Sequence, residues 1–241
     1  MNNRQEIKMK KTVDIGIIGA LSEEVNTLIA ALKRHKCEKV GGVDFHTGVL
    51  EGKKVVIARC GVGKVFAALC AEAMIIRYSP KLIVNTGVGG ALKKGIAVGD
   101  VLVAEKLVQH DMDTSPLGDP KGLISGINVV YFDTDERARG IVRSAAEKYS
   151  IKCHEGTVAS GDVFVSTDEL KAEIREEFGA AVCEMEGAAI AHVAYVNSTP
   201  CCVIRAISDS ADEGSSIDYQ TFLPLAAKNS SLITMQLCRE F

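Results

Sequence analysis

Along this chain the apolar positions switch between a helical period and short unbroken runs, the pattern of an alternating α/β protein. Residues 13–20, 40–49, 53–60, 82–85, 101–110, 156–165, 180–183 and 201–207 read as strands. The last is almost continuously apolar, as expected where a sheet is covered on both faces. Helical spacing marks residues 22–35, where Val25, Leu28, Ile29 and Leu32 share a face, and then residues 65–78, 133–149, 167–178, 187–196 and 219–237. Glu51-Gly52 turns one strand into the next. Ser166 or Thr167 supplies a helix cap, Pro80 ends the second helix, and Pro224 must lie in the first turn of the last helix or bend it. Thr86-Gly87-Val88-Gly89-Gly90 reads as a glycine-rich loop at a strand's carboxyl end, which brings backbone close to a ligand or merely turns tightly. Residues 114–127 form a second loop, rich in Gly and Pro and of a length that is often functional. There is no internal repeat and no flexible linker, so residues 13–241 are expected to form one domain. Residues 1–12 are polar and basic and are expected to be a disordered extension, not a signal peptide, with Met9 as an alternative start.

Composition narrows the class. Hydrophobic residues are 47% and charged residues 24%, ordinary for a globular protein with a large core. A net charge of -3 gives no sign of a nucleic-acid or membrane surface. Trp is absent and aromatics are 5%, which disfavours stacking platforms for single strands. No run is long and apolar enough to span a membrane. Eight Cys residues include no C-x-x-C pair and several lie in apolar runs, which fits buried free thiols in a reducing cytoplasm.

The candidate chemistry is carboxylate chemistry. The strand that begins at Cys201 stops at Ser208-Asp209-Ser210, and a carboxylate at that end of an α/β strand sits where such proteins bind ligands. The alternative is that Asp209 only ends a strand or caps a turn. Glu23 and Glu24 fall in the first helical turn, where they suit the helix dipole but would repel a pyrophosphate. One of the two is expected to be no more than a dipole partner. The turn also lacks G-x-G-x-x-G, which disfavours a dinucleotide-dependent dehydrogenase. Gly61-Val-Gly63-Lys64 mimics a phosphate loop without its spacing. His110-Asp111-Met112-Asp113 has metal-like spacing but no accompanying His or Cys cluster, so no metal is expected. Glu184-Met185-Glu186 lies beside an apolar segment, where an unpaired carboxylate is costly. These acids either pair with a base such as Arg205 or bind a polar ligand. Together Glu24, Glu186 and Asp209, with Arg205, suggest acid/base catalysis on a polar, uncharged ligand.

Eight segments, in this order and spacing, carry a resemblance: Ile15-Gly-Ile-Ile-Gly-Ala20 with Glu23-Glu24-Val25, Gly61-Val-Gly-Lys-Val65, Asn85-Thr-Gly87, Val98-Gly-Asp100, Ser160-Gly-Asp-Val-Phe164, Glu184-Met-Glu186, Arg205-Ala-Ile-Ser-Asp209 and Ala226-Ala-Lys-Asn-Ser-Ser231. From about Val13 to its end the chain resembles the 5′-methylthioadenosine/S-adenosylhomocysteine nucleosidases of the nucleoside phosphorylase superfamily. The resemblance implies a single-domain three-layer α/β sandwich with a mixed, largely parallel twisted sheet flanked by helices. It implies hydrolysis of an N-glycosidic bond without a cofactor, releasing adenine and a 5-thio-substituted ribose. Asp209 would protonate N7 and Glu24 would hold and deprotonate the water. Glu186 would accept hydrogen bonds from the ribose hydroxyls, with Met185 packed on the sugar and Val88 and Gly89 near it. Phe164 would stack on the purine and the Val165 backbone would read its edge. Ser208 and Arg205 would orient the acid and the water, and Tyr219 would border the thio-substituent. The protein would be a cytoplasmic homodimer, with the loop at residues 114–117, including Thr114 and Leu117, reaching the neighbouring site. The family often has Ser where Val88 stands, aromatics where Leu117 and Asp119 stand, and Glu where Ser22 stands. The competing readings are a purine nucleoside phosphorylase on the same fold and a nucleoside-binding protein that has lost catalysis.

Overall fold

The protein is described from a computed structural model, which covers residues 12–211 and 215–241. The chain opens with β1 (Ile15–Gly19), buried at every position, and α1 (Ser22–Ala30). The helical pattern continues in sequence to His35, but the helix stops at Ala30. The charged stretch that follows has no apolar stripe to bury and pairs instead as an exposed edge strand, β2 (Lys33–Val40), with β3 (Val43–Leu50). Gly41 and Gly42 make the turn between them with positive φ. β4 (Lys53–Arg59) and α2 (Lys64–Tyr78) come next.

β5 (Leu82–Ala91) runs straight through the glycine-rich stretch expected to be a loop. Its glycines stay extended because each pairs with a neighbouring strand, Gly90 with one on either side. β6 (Val101–Gln109) precedes residues 114–127, which include a 3₁₀ turn at Ser115–Leu117. β7 (Phe132–Asp133) then takes the first residue of the expected third helix, and α3 (Glu136–Lys148) starts where the Asp135 side chain accepts the Ala138 N–H. β8 (Cys153–Ser160) ends five residues before the expected boundary, because Gly161 turns away with its N–H on the Glu184 carbonyl. α4 (Asp168–Phe178) is capped by Thr167. β9 (Ala180–Glu184), α5 (Gly187–Val196), β10 (Cys201–Asp209) and α6 (Ser215–Glu240), with Pro224 inside it, complete the chain.

The sheet is mixed, in the order β10-β6-β8-β9-β5-β1-β4-β3-β2. β10 also pairs with β5, so β10, β6, β8, β9 and β5 close on themselves as a five-stranded barrel. Register shifts in β10, β6 and β8 accompany this closure. Such bulges sharpen local twist, which is what a small closed sheet requires. The helices make two outer layers. α1, α3 and α6 press Leu28, Val142 and Ile233 against Ile17 and Val84 on one face. α2 and α5 press Met74 and Ile190 into the cluster that holds Ile18 and Val56 on the other.

One polar joint links a layer to the sheet. Thr86 Oγ1 of β5 bonds the hydroxyl of Ser230 and, at 2.9 Å, that of Thr234 on α6, all fully buried. Thr86→Val keeps the shape but strips a partner from two buried hydroxyls. Urea unfolding is expected to show a loss of about 1–3 kcal/mol.

Candidate active site

Two carboxylates are delivered to one cleft by chain turns. Glu24 sits in the first turn of α1, where a carboxylate meets free N–H groups. Its Oε2 accepts the Ala20 and Leu21 N–H at 2.7 and 2.9 Å, and its Oε1 accepts the Val88 N–H of β5 at 3.2 Å. Only 3% of Glu24 is exposed. Burial raises its pKa above the ordinary carboxylate value, and the backbone N–H groups and the Arg205 charge offset only part of that. Glu23 points outward and bonds Ser22, so it is the member of the pair with only a dipole to serve.

Asp209 ends β10 just past the register shift at Ser208. A bulge there re-aims a side chain out of the strand's alternation. Its Oδ2 accepts the Ser208 hydroxyl at 2.8 Å and its Oδ1 the Ala211 N–H at 2.9 Å. The glycines of β5 explain how both acids fit. A Cβ on Gly87 would stand 2.8 Å from Glu24 Oε1, and one on Gly90 would stand 2.7 Å from Asp209 Oδ1. The strand is a floor without side chains at the two places where carboxylates rest.

Glu184, the last residue of β9, and Glu186, just before α5, divide the two expected roles between them. Glu184 pairs with Arg205: its Oε2 accepts Nε at 3.2 Å and Nη2 at close range, together with the N–H groups of Glu186 and Gly187. Ser160 donates to its other oxygen. Burial opposes the charge of Glu184, but Arg205 and these donors outweigh it and hold the pKa below the ordinary value. Glu186 opens toward the cleft. Its Oε1 accepts the Gly63 N–H at 3.0 Å, and its Oε2 lies 3.9 Å from Arg205 Nη2. Burial first, and then the Glu184 charge, push its pKa up to about 7.

The cleft holds about 190 Å³. Glu24, Glu184, Glu186, Asp209 and Ser208 contribute polar groups to its lining, with Val88, Gly89 and Met185 between them. Phe164, Val165 and Tyr219 form a wall, the Phe164 and Tyr219 rings meeting edge to face at 5.7 Å. Among the described residues no Lys, Arg or His lines it. Arg205 is expected in the site but lies behind it, 1% exposed, bonded to Glu184, to Asn85 Oδ1 and to the Ile204 carbonyl. The loop at 114–117 lines no part of this chain's own cleft, and Leu117 is 84% exposed. Leu21, Val62, Val163 and Cys183 line the cleft without having been singled out from sequence, because an apolar residue at an element's end carries no local mark. Among the described residues no three His, Cys, Asp or Glu side chains are grouped to hold a metal ion.

A family model described as the phosphorylase superfamily matches residues 14–239. The chain belongs to the phosphorylase superfamily. Among superfamily members it is 38% identical over 219 residues to an aminodeoxyfutalosine nucleosidase of Helicobacter pylori, a match covering 90% of this chain and 94% of that protein. It is 35% identical over 224 residues to a 5′-methylthioadenosine/S-adenosylhomocysteine nucleosidase of Haemophilus influenzae, covering 92% and 97%. The crystal structure of the Neisseria meningitidis 5′-methylthioadenosine/S-adenosylhomocysteine nucleosidase in complex with methylthio-immucillin-A superposes with a TM-score of 0.92 at 33% identity, covering 95% and 99% of the two chains.

The Arg205–Glu184 pair gives this superfamily member a test of its buried frame. Arg205→Met strands the Glu184 charge and is expected to cost about 3–5 kcal/mol in urea unfolding. Adding Glu184→Gln should recover most of that loss.

Proposed function

We propose that this protein is a nucleosidase that hydrolyses the N-glycosidic bond of 5′-methylthioadenosine and S-adenosylhomocysteine, with 5′-deoxyadenosine as a further substrate, releasing adenine and the 5-substituted ribose. The observation that carries the reading is a cleft with buried carboxylates on different elements and no cation among its described lining residues. Adenine leaves poorly as an anion, so the base needs a proton at N7. Asp209, steadied by Ser208, is the general acid. Glu24, with its raised pKa, takes the proton of the attacking water as the sugar becomes oxocarbenium-like. Glu24 from α1 and Asp209 from the end of β10 enter the cleft from different elements, as two carboxyl groups flanking a glycosidic bond require.

The remaining lining residues fit the same ligand. Glu186 accepts hydrogen bonds from the ribose hydroxyls, with Met185 packed on the sugar and Val88 and Gly89 beside it. Phe164 stacks on the purine, the Val165 backbone reads its edge, and Tyr219 borders the 5′-substituent. Arg205 acts at one remove: through Glu184 and Asn85 it ties the strand that carries Asp209 to the end of β9 and to β5. A homodimer completes the site. Val65, Phe66 and Leu69 of α2 are exposed beside the cleft-lining Val62, an apolar face that suits a second copy, and the loop at 114–117 reaches into that copy's cleft. The described cysteines are all free, which suits a reducing cytoplasm, where the enzyme clears by-products of S-adenosylmethionine and feeds methionine salvage.

Phosphorolysis is the other reaction this fold supports. A phosphate dianion needs Arg side chains or clustered donors. Here Arg205 is bound to Glu184, and Glu24 and Glu186 would repel phosphate. Adenine is therefore expected to form at an undiminished rate in phosphate-free buffer, with free thioribose beside it on chromatography; recovery of a ribose 1-phosphate would give the reaction to a phosphorylase. The same assay with 6-amino-6-deoxyfutalosine, the substrate class in the name of the Helicobacter pylori relative, ranks the two nucleosides.

Asp209→Asn keeps the shape and removes the proton donor, so kcat is expected to fall ~100- to 10,000-fold with binding retained. Glu24→Gln should likewise hold intact nucleoside in a soaked crystal. Near-parental kcat in either variant removes that residue from the mechanism.

The pKa shifts set the acid side of the pH profile. Glu24 and Glu186 work ionised, and both are raised, Glu186 to about 7. Activity is complete above the raised values and is lost as pH falls through them. The profile of kcat/KM is expected to turn down near or below pH 7, well above the range of an ordinary glutamate; a flat profile down to pH 5 would contradict these assignments.

A further inference from the structure

Two sequence motifs are left over from this reading: the Lys64 of the glycine turn that mimics a phosphate loop, and the Asp111 of the metal-like His110-Asp111-Met112-Asp113. The fold brings them together. Asp111 follows β6, Lys64 is the first residue of α2, and Asp162 follows β8. Lys64 Nζ donates to Asp111 Oδ1 at 2.5 Å. The Lys64 backbone N–H donates to Asp162 Oδ1 at 2.8 Å. The Asp162 N–H donates to Asp111 Oδ2 at 2.9 Å. Three residues thus close a ring of hydrogen bonds in which each touches the other two.

The ring stands between two working surfaces. On one side, Gly63 precedes Lys64 and gives its N–H to Glu186 Oε1. Gly63 has φ 99, and a Cβ there would stand 3.0 Å from Asp162 Oδ1, so the turn lies tight against the ring. On the other side, Asp162 is followed directly by Val163, Phe164 and Val165, the apolar wall of the cleft. A second strut leaves Lys64 Nζ for Gln109 Oε1 at 3.3 Å, and Gln109 Nε2 meets His192 Nδ1 of α5 at 3.3 Å, on the helix that Glu186 begins.

We propose that Asp111, Lys64 and Asp162 are positioning residues of the nucleosidase site, whose ring fixes the distance between the carboxylate that holds the sugar and the wall that takes the base. None of the three lines the cleft, so each acts through another residue. Asp111 suits the task. Burial opposes its charge, but Lys64 and the Asp162 N–H hold its pKa below the ordinary value, so the Asp111 carboxylate keeps its charge toward Lys64. The proposal rests on the roles given above to Glu186 and Phe164, and the experiment separates the two claims.

The groups that face Glu186 are Glu184 of β9, Arg205 of β10, Glu24 of α1, Cys60 at the end of β4, Tyr219 of α6 and the Gly63 N–H. Only the Gly63 N–H depends on the ring. Its withdrawal removes a donor to the ionised carboxylate and moves the Glu186 titration upward.

Kinetics with 5′-methylthioadenosine from about pH 5 to 9, with melting curves, are compared for the parent, Asp111→Asn, Lys64→Met, Lys64→Arg and Glu186→Gln. Asp111→Asn and Lys64→Met are each expected to raise KM roughly 10- to 100-fold with a smaller change in kcat, and to carry the acid limb of kcat/KM to higher pH. The double variant should be no worse than either single one, because both open the same ring. Lys64→Arg keeps the charge and should lie between. The pair is largely shielded, with side-chain exposures of 17% and 29%, so Lys64→Met is expected to melt below the parent while staying folded at the assay temperature, and it decides the matter if Asp111→Asn fails to fold. Parental KM and an unmoved acid limb in Lys64→Met, while Glu186→Gln raises KM and removes the part of the limb that Glu186 sets, leaving that of Glu24, overturn the ring's role. A Glu186→Gln variant with parental KM instead overturns the reading of the cleft, and the ring's role falls with it.

Discussion

A guanidinium and a carboxylate shut away from water hold this active site together. Arg205 and Glu184 are both almost fully buried, and two such charges are tolerated only where nearly every donor and acceptor is met. Here they are: Glu184 receives Arg205, Ser160 and two backbone N–H groups, while Arg205 also reaches Asn85 and the Ile204 carbonyl. The pair spans β9, β10 and β5, three strands of the closed barrel. Its worth lies in geometry more than in net stability. β9 ends at Glu184, two residues before Glu186, and β10 ends at Asp209. Anything that tilts one of these strands relative to the other changes the spacing of the acids they deliver.

The pair also sets the electrostatics. One positive charge is shared unequally among three glutamates. Glu184, in contact with it, is held below the ordinary value; Glu186, 3.9 Å away and beside a second carboxylate, is pushed up to about 7; Glu24, which feels Arg205 at longer range, is raised by burial. Carboxylates in one small volume thus differ in proton affinity because burial raises them all and they differ in their access to one cation and to hydrogen-bond donors. That separation is the usual route by which a single site supplies groups ready for different tasks.

β5 is the complementary constraint. A strand in the middle of a sheet normally earns its place by packing side chains, and glycine there is costly. Gly87 and Gly90 have none, and the volume they leave is filled by the carboxyl groups of Glu24 and Asp209. Close approach of backbone to acid also lets the Val88 N–H serve as a ligand of Glu24. The sheet gives up packing where the chemistry needs room and recovers it in the Ile, Val and Leu clusters on its two faces.

Much of this was legible in the chain before folding. Helix caps, turn glycines and unbroken apolar runs act over a few residues, so the sequence alone determined the α/β alternation and the placing of Glu24 and Asp209 at element ends, and narrowed the cap of α4 to Ser166 or Thr167. It also narrowed the acids of Glu184-Met185-Glu186 to pairing with Arg205 or binding a ligand. What it left open are matters of long range. Whether Lys33 to Val40 continues a helix or becomes an edge strand depends on β3 lying alongside. Whether Thr86 to Gly90 is loop or strand depends on β9 and β10 pairing with it. Which acid takes Arg205 is decided where strands from distant parts of the chain meet, and Asn85 joins that network from 120 positions away. Lys64 and Asp162, 98 positions apart, meet only because α2 begins where β8 ends. Local pattern specifies which elements form, since propensity and burial are read within a turn or a strand. Only the tertiary structure decides which charges face each other, because the strength of a contact depends on distance in space and on exclusion of water, neither of which has a period in sequence.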